Sequence, residues 1–237
     1  MNIYFDMHTH TVASGHAFST FKENVEEAAG KGLFALGMSD HAPAMPGSAP
    51  SIYFSNFKCF RQEVMGVRIF TGVEANIMDF NGNLDLDETV LRKMDYVIAS
   101  LHIPCIKPGT PKENTDALIG AMKNPYVKII GHPDDDRYPL EYDRLIPAAL
   151  EHKVALEVNN SFNPRSGRQN AYKNVMKWLS IAKEYRLPVI LGSDAHIYYD
   201  VGDLTEAVKM LEAAGYPQEL VLNSSKDGIY YILNEGR

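Results

Sequence analysis

Short, near-continuous apolar runs alternate along this chain with stretches whose apolar residues recur at helical spacing. The runs predict strands at about 3–10, 33–40, 67–75, 96–102, 127–132, 154–160 and 188–194. Runs without polar alternation are what parallel strands buried on both faces look like. Between them, Thr20-Phe21-Lys22-Glu23 reads as a capping box that opens a first helix. Helical stretches follow at Asp87 to Met94, Thr115 to Lys123, Leu140 to Lys153 and Asn170 to Tyr185. In the last, Val175, Trp178, Leu179 and Ala182 form an apolar stripe, expected to pack against the sheet. Seven βα units predict an α/β fold, a TIM-like (β/α)7 barrel with its site at the carboxyl ends of the strands.

Those strand ends carry the chemistry. Six of the eight histidines lie at or just past the ends of apolar runs, and a seventh, His16, in the loop after the first. His8 and His10 follow the first run, His41 the second, His102 the fourth, His132 the fifth and His196 the last, while Glu74 ends the third. Side chains two apart on a strand share a face, so His8 and His10 can chelate together with Asp6 below them. Asp194 and His196 are expected to repeat that geometry. A lone histidine would be read as a surface or core residue; two such pairs with three more strand-end histidines point to one polynuclear metal site and metal-dependent hydrolysis. Imidazole and carboxylate donors without a nearby thiolate suit zinc first, with manganese or iron as alternatives. His16, in the loop after the first strand, reads equally well as ligand or bystander on its own. His152 lies in a helical stretch and is read as a surface residue.

Bulk properties narrow the class. At 237 residues with a hydrophobic fraction of 45%, one domain over 1–237 is expected. The net charge of −7 lacks the clustered Lys and Arg of a nucleic-acid footprint. No apolar stretch approaches the roughly 20 residues that span a bilayer, and ligands so near the start leave no room for a removable signal. Cys59 and Cys105 match no metal or disulfide spacing, and a cytoplasmic protein with reduced thiols is expected. The loop Ala42 to Pro50 is either pocket rim or plain connector.

His8-Thr9-His10-Thr11, His16, Ser39-Asp40-His41, Gly72-Val73-Glu74, Leu101-His102, Gly131-His132-Pro133 and Ser193-Asp194-Ala195-His196 together resemble the motifs of the PHP (polymerase and histidinol phosphatase) family. Thr11-Val12-Ala13-Ser14, Glu74-Ala75-Asn76-Ile77 and Ala155-Leu156-Glu157-Val158-Asn159-Asn160-Ser161 are most similar to its small bacterial phosphatases of the YcdX type. The resemblance runs to about residue 225 and implies a distorted seven-stranded barrel holding three divalent metal ions. It implies His8, His10, Glu74 and Asp194 at the first metal, and Glu74, His102 and His132 at the second, with Glu74 bridging. His16, His41 and His196 would hold the third. The departure from the pattern is Asp134-Asp135-Asp136, expected to be a solvated acidic loop.

The activity so implied is hydrolysis of a small phosphate monoester, a phosphorylated metabolite, by a metal-bridging hydroxide, with Glu74, Asp194 and His196 as candidate catalytic groups. Three divalent ions against two carboxylates keep the pocket cationic in an acidic protein, which suits a phosphate dianion. Asp6, Asp40 and Glu157 are candidates for orienting ligand imidazoles; for Glu157 a hydrogen bond low in the barrel is an equal alternative. Arg165 and Arg168 could contact phosphate, although surface arginines are commoner. A phosphodiesterase or exonuclease would want a basic groove, which is absent here. Histidinol phosphatases of the family usually have a longer chain. An amidohydrolase would want a Lys at the end of strand four, where Leu101-His102 stand. A metal-retaining module without turnover fits poorly with a complete ligand set. A homo-oligomer is compatible with all of these.

Overall fold

The apolar runs become strands in the computed structural model, which describes residues 1–161 and 167–234. Strands β1 (Phe5–Asp6), β2 (Ala35–Met38), β4 (Val67–Asn76), β5 (Tyr96–Ser100), β6 (Val127–Ile130), β7 (Ala155–Asn159) and β8 (Val189–Gly192) are all parallel and lie side by side in that order. A short strand, β3 (Glu63–Val64), pairs antiparallel with the start of β4. Helices α1 (Phe21–Gly30), α2 (Ser51–Ser55), α3 (Glu88–Leu91), α4 (Pro111–Met122), α5 (Tyr142–His152), α6 (Ala171–Glu184) and α7 (Thr205–Ala213) connect or follow the strands. The result is a nearly closed barrel of seven parallel strands, as the apolar pattern predicts.

The pleat sorts the apolar residues onto two faces, inside and outside the barrel. Along β5, Tyr96 and Ile98 join Phe5, Ile129, Ala155 and Ile190 in one cluster, inside the barrel. Val97 and Ala99 join Leu118, Leu145, Trp178 and Leu179 in the other, between sheet and helices. Trp178 is fully buried there with Val175 and Ala182. Tyr96 fills the barrel interior, and two glycines make room for it. A Cβ at Gly37 would lie 2.2 Å from its hydroxyl, and one at Gly72 2.3 Å from its ring. The hydroxyl donates to the Met7 carbonyl at 2.6 Å, just below His8.

The barrel is uneven. β4 and β5 share five registered pairs, from Gly72↔Tyr96 to Asn76↔Ser100. β1 is only two residues long, shorter than the expected 3–10, and no ladder joins it to β8 among the described residues. That seam is closed by a single parallel bridge, Thr9↔Ala195, and by side chains, Asn223 first among them. Asn223 is fully buried. Its Nδ2 donates to the Phe5 carbonyl (2.8 Å) and the Leu191 carbonyl (3.0 Å), and its Oδ1 accepts from the Leu191 amide (2.7 Å). A side-chain amide thus stands where a peptide group of a neighbouring strand would.

Thr20 and Glu23 form the expected capping box of α1. α4 starts at Pro111, four residues before the expected Thr115, because Thr110 and Glu113 form a second capping box with Pro111 at the first helical position. Its polar first turn hides it from an apolar pattern. α3 falls within the expected stretch Asp87 to Met94 but is only four residues long, and α2, β3 and α7 lie outside the expected elements. No helix among the described residues is long and apolar enough to cross a membrane.

Candidate metal centre

The backbone aims the donors. The bridge Thr9↔Ala195 is parallel, so the residues flanking it, His8 and His10 on one segment and Asp194 and His196 on the other, project to one common side. These pairs lie beyond β1 and β8 and not on them, contrary to the expected strand positions, and Asp194 has φ 55°. A second bridge, His41↔Glu74, brings the ends of β2 and β4 together. His102 and His132 stand just past β5 and β6, and His132 has φ 31°. Left-handed backbone at non-glycine residues costs of order 1–3 kcal/mol and gathers at functional sites.

Glu74, fully buried, is the hub. Its Oε2 lies 2.7 Å from His41 Nδ1, 3.4 Å from His8 Nε2 and 3.5 Å from His10 Nε2. Its Oε1 lies 2.9 Å from His132 Nε2 and 3.2 Å from His102 Nε2. Asp194 Oδ1 faces His10 Nε2 at 3.2 Å and His8 Nε2 at 3.6 Å. On the outer side, His16 Nε2 meets His196 Nε2 at 3.1 Å, and the His41 ring lies 4.9 Å from that of His16. All nine residues singled out in the sequence are therefore brought together. Their tightest sets are His8, His10 and Asp194; His41, Glu74 and His102; and His10, His41 and His196. His41 is thus drawn toward Glu74 as well as toward His196.

The donor set fits divalent metal. Four imidazoles are fixed through Nδ1: His8 by Glu157 Oε1 (2.6 Å), His10 by Ser14 Oγ (3.0 Å), His102 by Asn76 Oδ1 (2.7 Å) and His196 by its neighbour's carbonyl, that of Asp194 (2.8 Å). Nδ1–H donation to an acceptor leaves the Nε2 lone pair pointing at the centre, the arrangement found around metal-bound histidine. Ser14 is itself turned by donating to Asp40 Oδ1 at 2.7 Å, so it accepts from His10. His8 Nε2, His10 Nε2, His41 Nδ1 and Glu74 Oε2 are buried with no hydrogen-bond partner. Orphaned buried polar atoms cost about 1–3 kcal/mol each, and here they share one small volume that a cation would satisfy.

Charge points the same way. Burial opposes ionisation of Glu74, yet His102, His41 and His8 hold its carboxyl well below the usual range. Burial likewise opposes ionisation of Asp194, and His8, His10 and His196 outweigh it. Burial, reinforced by His196, pushes His10 down to about 3, so its ring is neutral and able to ligate.

The orienting candidates divide. Glu157 holds the His8 ring and accepts from the His132 amide at 2.9 Å. Asp40 acts on His10 through Ser14 and also binds Thr11 and Tyr53. Asp6 touches no imidazole ring. It accepts from the backbone amides of His8, Ser193 and Gly202 and so fastens the seam. Ser14 and Asn76 had no assigned role; Asn76 sits two residues beyond Glu74 on the same strand face, a usable signal.

The acidic run departs most from expectation. Asp134 and Asp135 are buried, at 1% and 8% exposure, and only Asp136 meets solvent. Asp134 lies 3.1 Å from Arg168 Nε, and burial pushes its carboxyl up to about 6 against that attraction. Arg168 is itself buried, 3.5 Å from Asp194, and donates to Asn159 Oδ1 at 2.8 Å. An arginine 34 positions away therefore makes a buried pair of what looks like a solvated loop. Arg165 lies outside the described residues. Donors and Arg168 open into a cleft of about 780 Å³, where Met45 and Pro46 make the loop 42–50 part of the rim.

Comparison with known proteins gives the family and agrees with the fold. The PHP domain family matches residues 6–161. A probable phosphatase of Caldanaerobacter subterraneus subsp. tengcongensis is 48% identical over 238 residues, covering 100% of this chain and 93% of the relative. A probable phosphatase of Clostridium botulinum strain Hall is 42% identical over 239 residues, covering 100% and 97%. Among solved structures, the histidinol phosphate phosphatase of Lactococcus lactis, complexed with zinc, L-histidinol and phosphate, superposes with a TM-score of 0.57 at 17% identity, covering 90% and 94%.

Proposed function

The chain belongs to the PHP domain family, and on that premise we propose that it is a phosphatase that hydrolyses a small phosphate monoester at a centre of three divalent metals. The observation that carries the reading is the gathering of nine donors in one cluster, with five imidazoles within 3.5 Å of the Glu74 oxygens and four held by Nδ1 acceptors. The relatives named as probable phosphatases support the reaction class. We assign His8, His10, Glu74 and Asp194 to one metal, Glu74, His102 and His132 to a second, and His16, His41 and His196 to a third. Divalent ions there supply Lewis acidity toward phosphoryl oxygens and acidify water.

The chain's own groups do the rest. Glu74, with both oxygens among histidines, is the one carboxylate in contact with both halves of the cluster. Glu157 fixes the tautomer of His8, and Ser14 that of His10. Arg168, pinned by Asp134 beside Asp194, supplies a fixed cation for a phosphoryl oxygen. Met45, Pro46 and Leu101 give the alcohol part an apolar floor. Both cysteines are free, which suits the reducing cytoplasm where a phosphorylated metabolite would be met.

Purified without chelator, the protein should carry about three divalent ions per chain, the number that nine donors in sets of three or four imply. It should hydrolyse an aryl phosphate monoester at least roughly tenfold faster than the matching diester, about 1.4 kcal/mol in barrier. A monoester offers a third charged oxygen that the second ester group of a diester blocks. Preference for the diester would move the chain to a phosphodiesterase, and full activity with one ion or fewer would overturn the trinuclear reading.

A further inference from the structure

The run Asp134-Asp135-Asp136 is not spent on solvent. Each acid ties down a different group, and two of those groups, Arg168 and Arg137, line the cleft. Asp134 holds Arg168. Asp135 holds Arg137: Nε and Nη2 of Arg137 lie 2.7 and 2.6 Å from Asp135 Oδ2, and the Arg137 amide donates to Oδ1 at 3.0 Å. Asp136 accepts from the side-chain amides of Asn170 and Asn174, and its own amide donates to the Gln169 carbonyl. The segment carrying Arg137 is thereby stitched to the one carrying Arg168.

Both arginines line the cleft, and no lysine does among the described residues. They sit at different depths. The Arg168 side chain is 7% exposed beside Asp194, whereas that of Arg137 is 34% exposed. A surface arginine normally wanders over many rotamers. This one is clamped by a carboxylate that is itself buried. Asp135 engages two nitrogens, and arginine carries five N–H donors in a rigid fork, so others remain for a ligand. A cleft of about 780 Å³ is far larger than a phosphate and has to take the alcohol part as well.

We propose that Arg137 is a specificity residue, and that the substrate is a small phosphate monoester whose alcohol part carries a second anion, carboxylate or phosphate. This rests on the phosphatase reading. The reacting phosphate occupies the metal centre and Arg168, and the remote anion docks on the Arg137 fork. Because that contact is far from the bond that breaks, its effect falls mainly on KM.

The test uses the protein with its own metal and three aryl esters. These are 4-carboxyphenyl phosphate, the neutral 4-carbamoylphenyl phosphate of similar shape, and benzene-1,4-diyl bisphosphate. Wild-type kcat/KM should be at least about tenfold higher for one doubly anionic ester than for the neutral one. The ester with the larger gain identifies the second anion. Arg137→Gln should bring the ratio close to one, with the change in KM. Arg137→Lys, which keeps the charge without the fork, should give an intermediate ratio and serves if the Gln variant melts early. Equal kcat/KM for charged and neutral esters in the wild type, or a preference that survives in a folded Arg137→Gln protein, overturns this inference alone. A metal-loaded protein that cleaves none of the three overturns the phosphatase reading and this inference with it.

Discussion

Two sides of one barrel build the metal centre by different means. On the β4–β5 side a continuous ladder of backbone hydrogen bonds runs up to Asn76 and Ser100, and Glu74 sits within it, with His102 just beyond. There, strand register alone decides which face a donor takes. On the β8–β1 side the ladder is missing, and His8, His10, Asp194 and His196 hang on one bridge, Thr9↔Ala195. Side chains replace the ladder: Asn223 below, Asp6 at mid-height, Glu157 and the Ser14–Asp40 relay above. A ladder places the donor within it, Glu74, with no further help, and His102 just beyond takes one brace, from Asn76. A seam needs a dedicated brace for each one, and can still shift when metal binds.

The strongest way to break this comparison is at the residue the two sides share. Glu74→Gln keeps size and position in the ladder but bridges cations poorly. Partners that merely orient a ligand are worth 10–100-fold, so this change should lower kcat/KM by at least about 100-fold, near 2.7 kcal/mol. The thermal transition should persist, because the ladder and not the carboxylate places the side chain. Wild-type turnover in the folded variant would remove Glu74 from the hub.

Next comes the seam's brace. Asn223→Ala strips partners from the Phe5 carbonyl and from both backbone groups of Leu191, all buried. At about 1–3 kcal/mol per orphaned group, partly relieved by water entering, a loss of about 2–3 kcal/mol in urea unfolding is expected. A loss below about 0.5 kcal/mol would mean that the bridge Thr9↔Ala195 holds the seam unaided.

These two residues also mark what was legible beforehand. Glu74 ends an apolar run, and a strand that must be buried announces both itself and the polar residue at its tip. The same logic located eight of the nine donors and the seven parallel strands, while His16, in a loop, came only with the family resemblance. That logic cannot reveal whether a buried run finds a pairing partner. Ile3 to Met7 reads as a strand like the other runs, yet only Phe5 and Asp6 pair with β2. Asn223, 218 positions from Phe5, looks like an ordinary loop residue until the fold closes. The buried acids fail for the same reason. Charge implies solvent unless a partner arrives from elsewhere, and for Asp134 Arg168 is that partner; Asp135 pairs with Arg137, two residues on.

A smaller change probes the brace that reaches from β7 to the seam. Glu157 accepts from the His8 ring with one oxygen and from the His132 and Asn159 nitrogens with the other. Gly192 makes room for it, since a Cβ there would lie 1.9 Å from Oε1. Glu157→Gln can no longer accept at both ends, so the His8 ring loses its fixed tautomer or the His132 amide loses its acceptor. Competition with a chelator should show metal affinity weakened about 10–100-fold. Unchanged affinity would leave Glu157 as a plain structural bond.

The smallest expected effect is the control that gives the others meaning. Ser100 ends β5 opposite Asn76, and its hydroxyl is buried with no hydrogen-bond partner. It stands beside Gly131, where a Cβ would fall 2.2 Å from Oγ and 3.5 Å from Glu74 Oε1. Ser100→Ala therefore removes a polar atom from within reach of the hub without breaking a bond, and the backbone pairing that positions Ser100 is untouched. Deleting an unsatisfied buried hydroxyl is close to neutral or mildly stabilising, so unfolding should change by less than about 0.5 kcal/mol and kcat/KM by less than about twofold. Set beside Asn223→Ala, which breaks three hydrogen bonds on the unladdered side, this contrasts a side chain that braces with one that does not. If Ser100→Ala costs more than about 1.5 kcal/mol or drops activity tenfold, the ladder side too relies on side-chain bracing, and the contrast between ladder and seam fails.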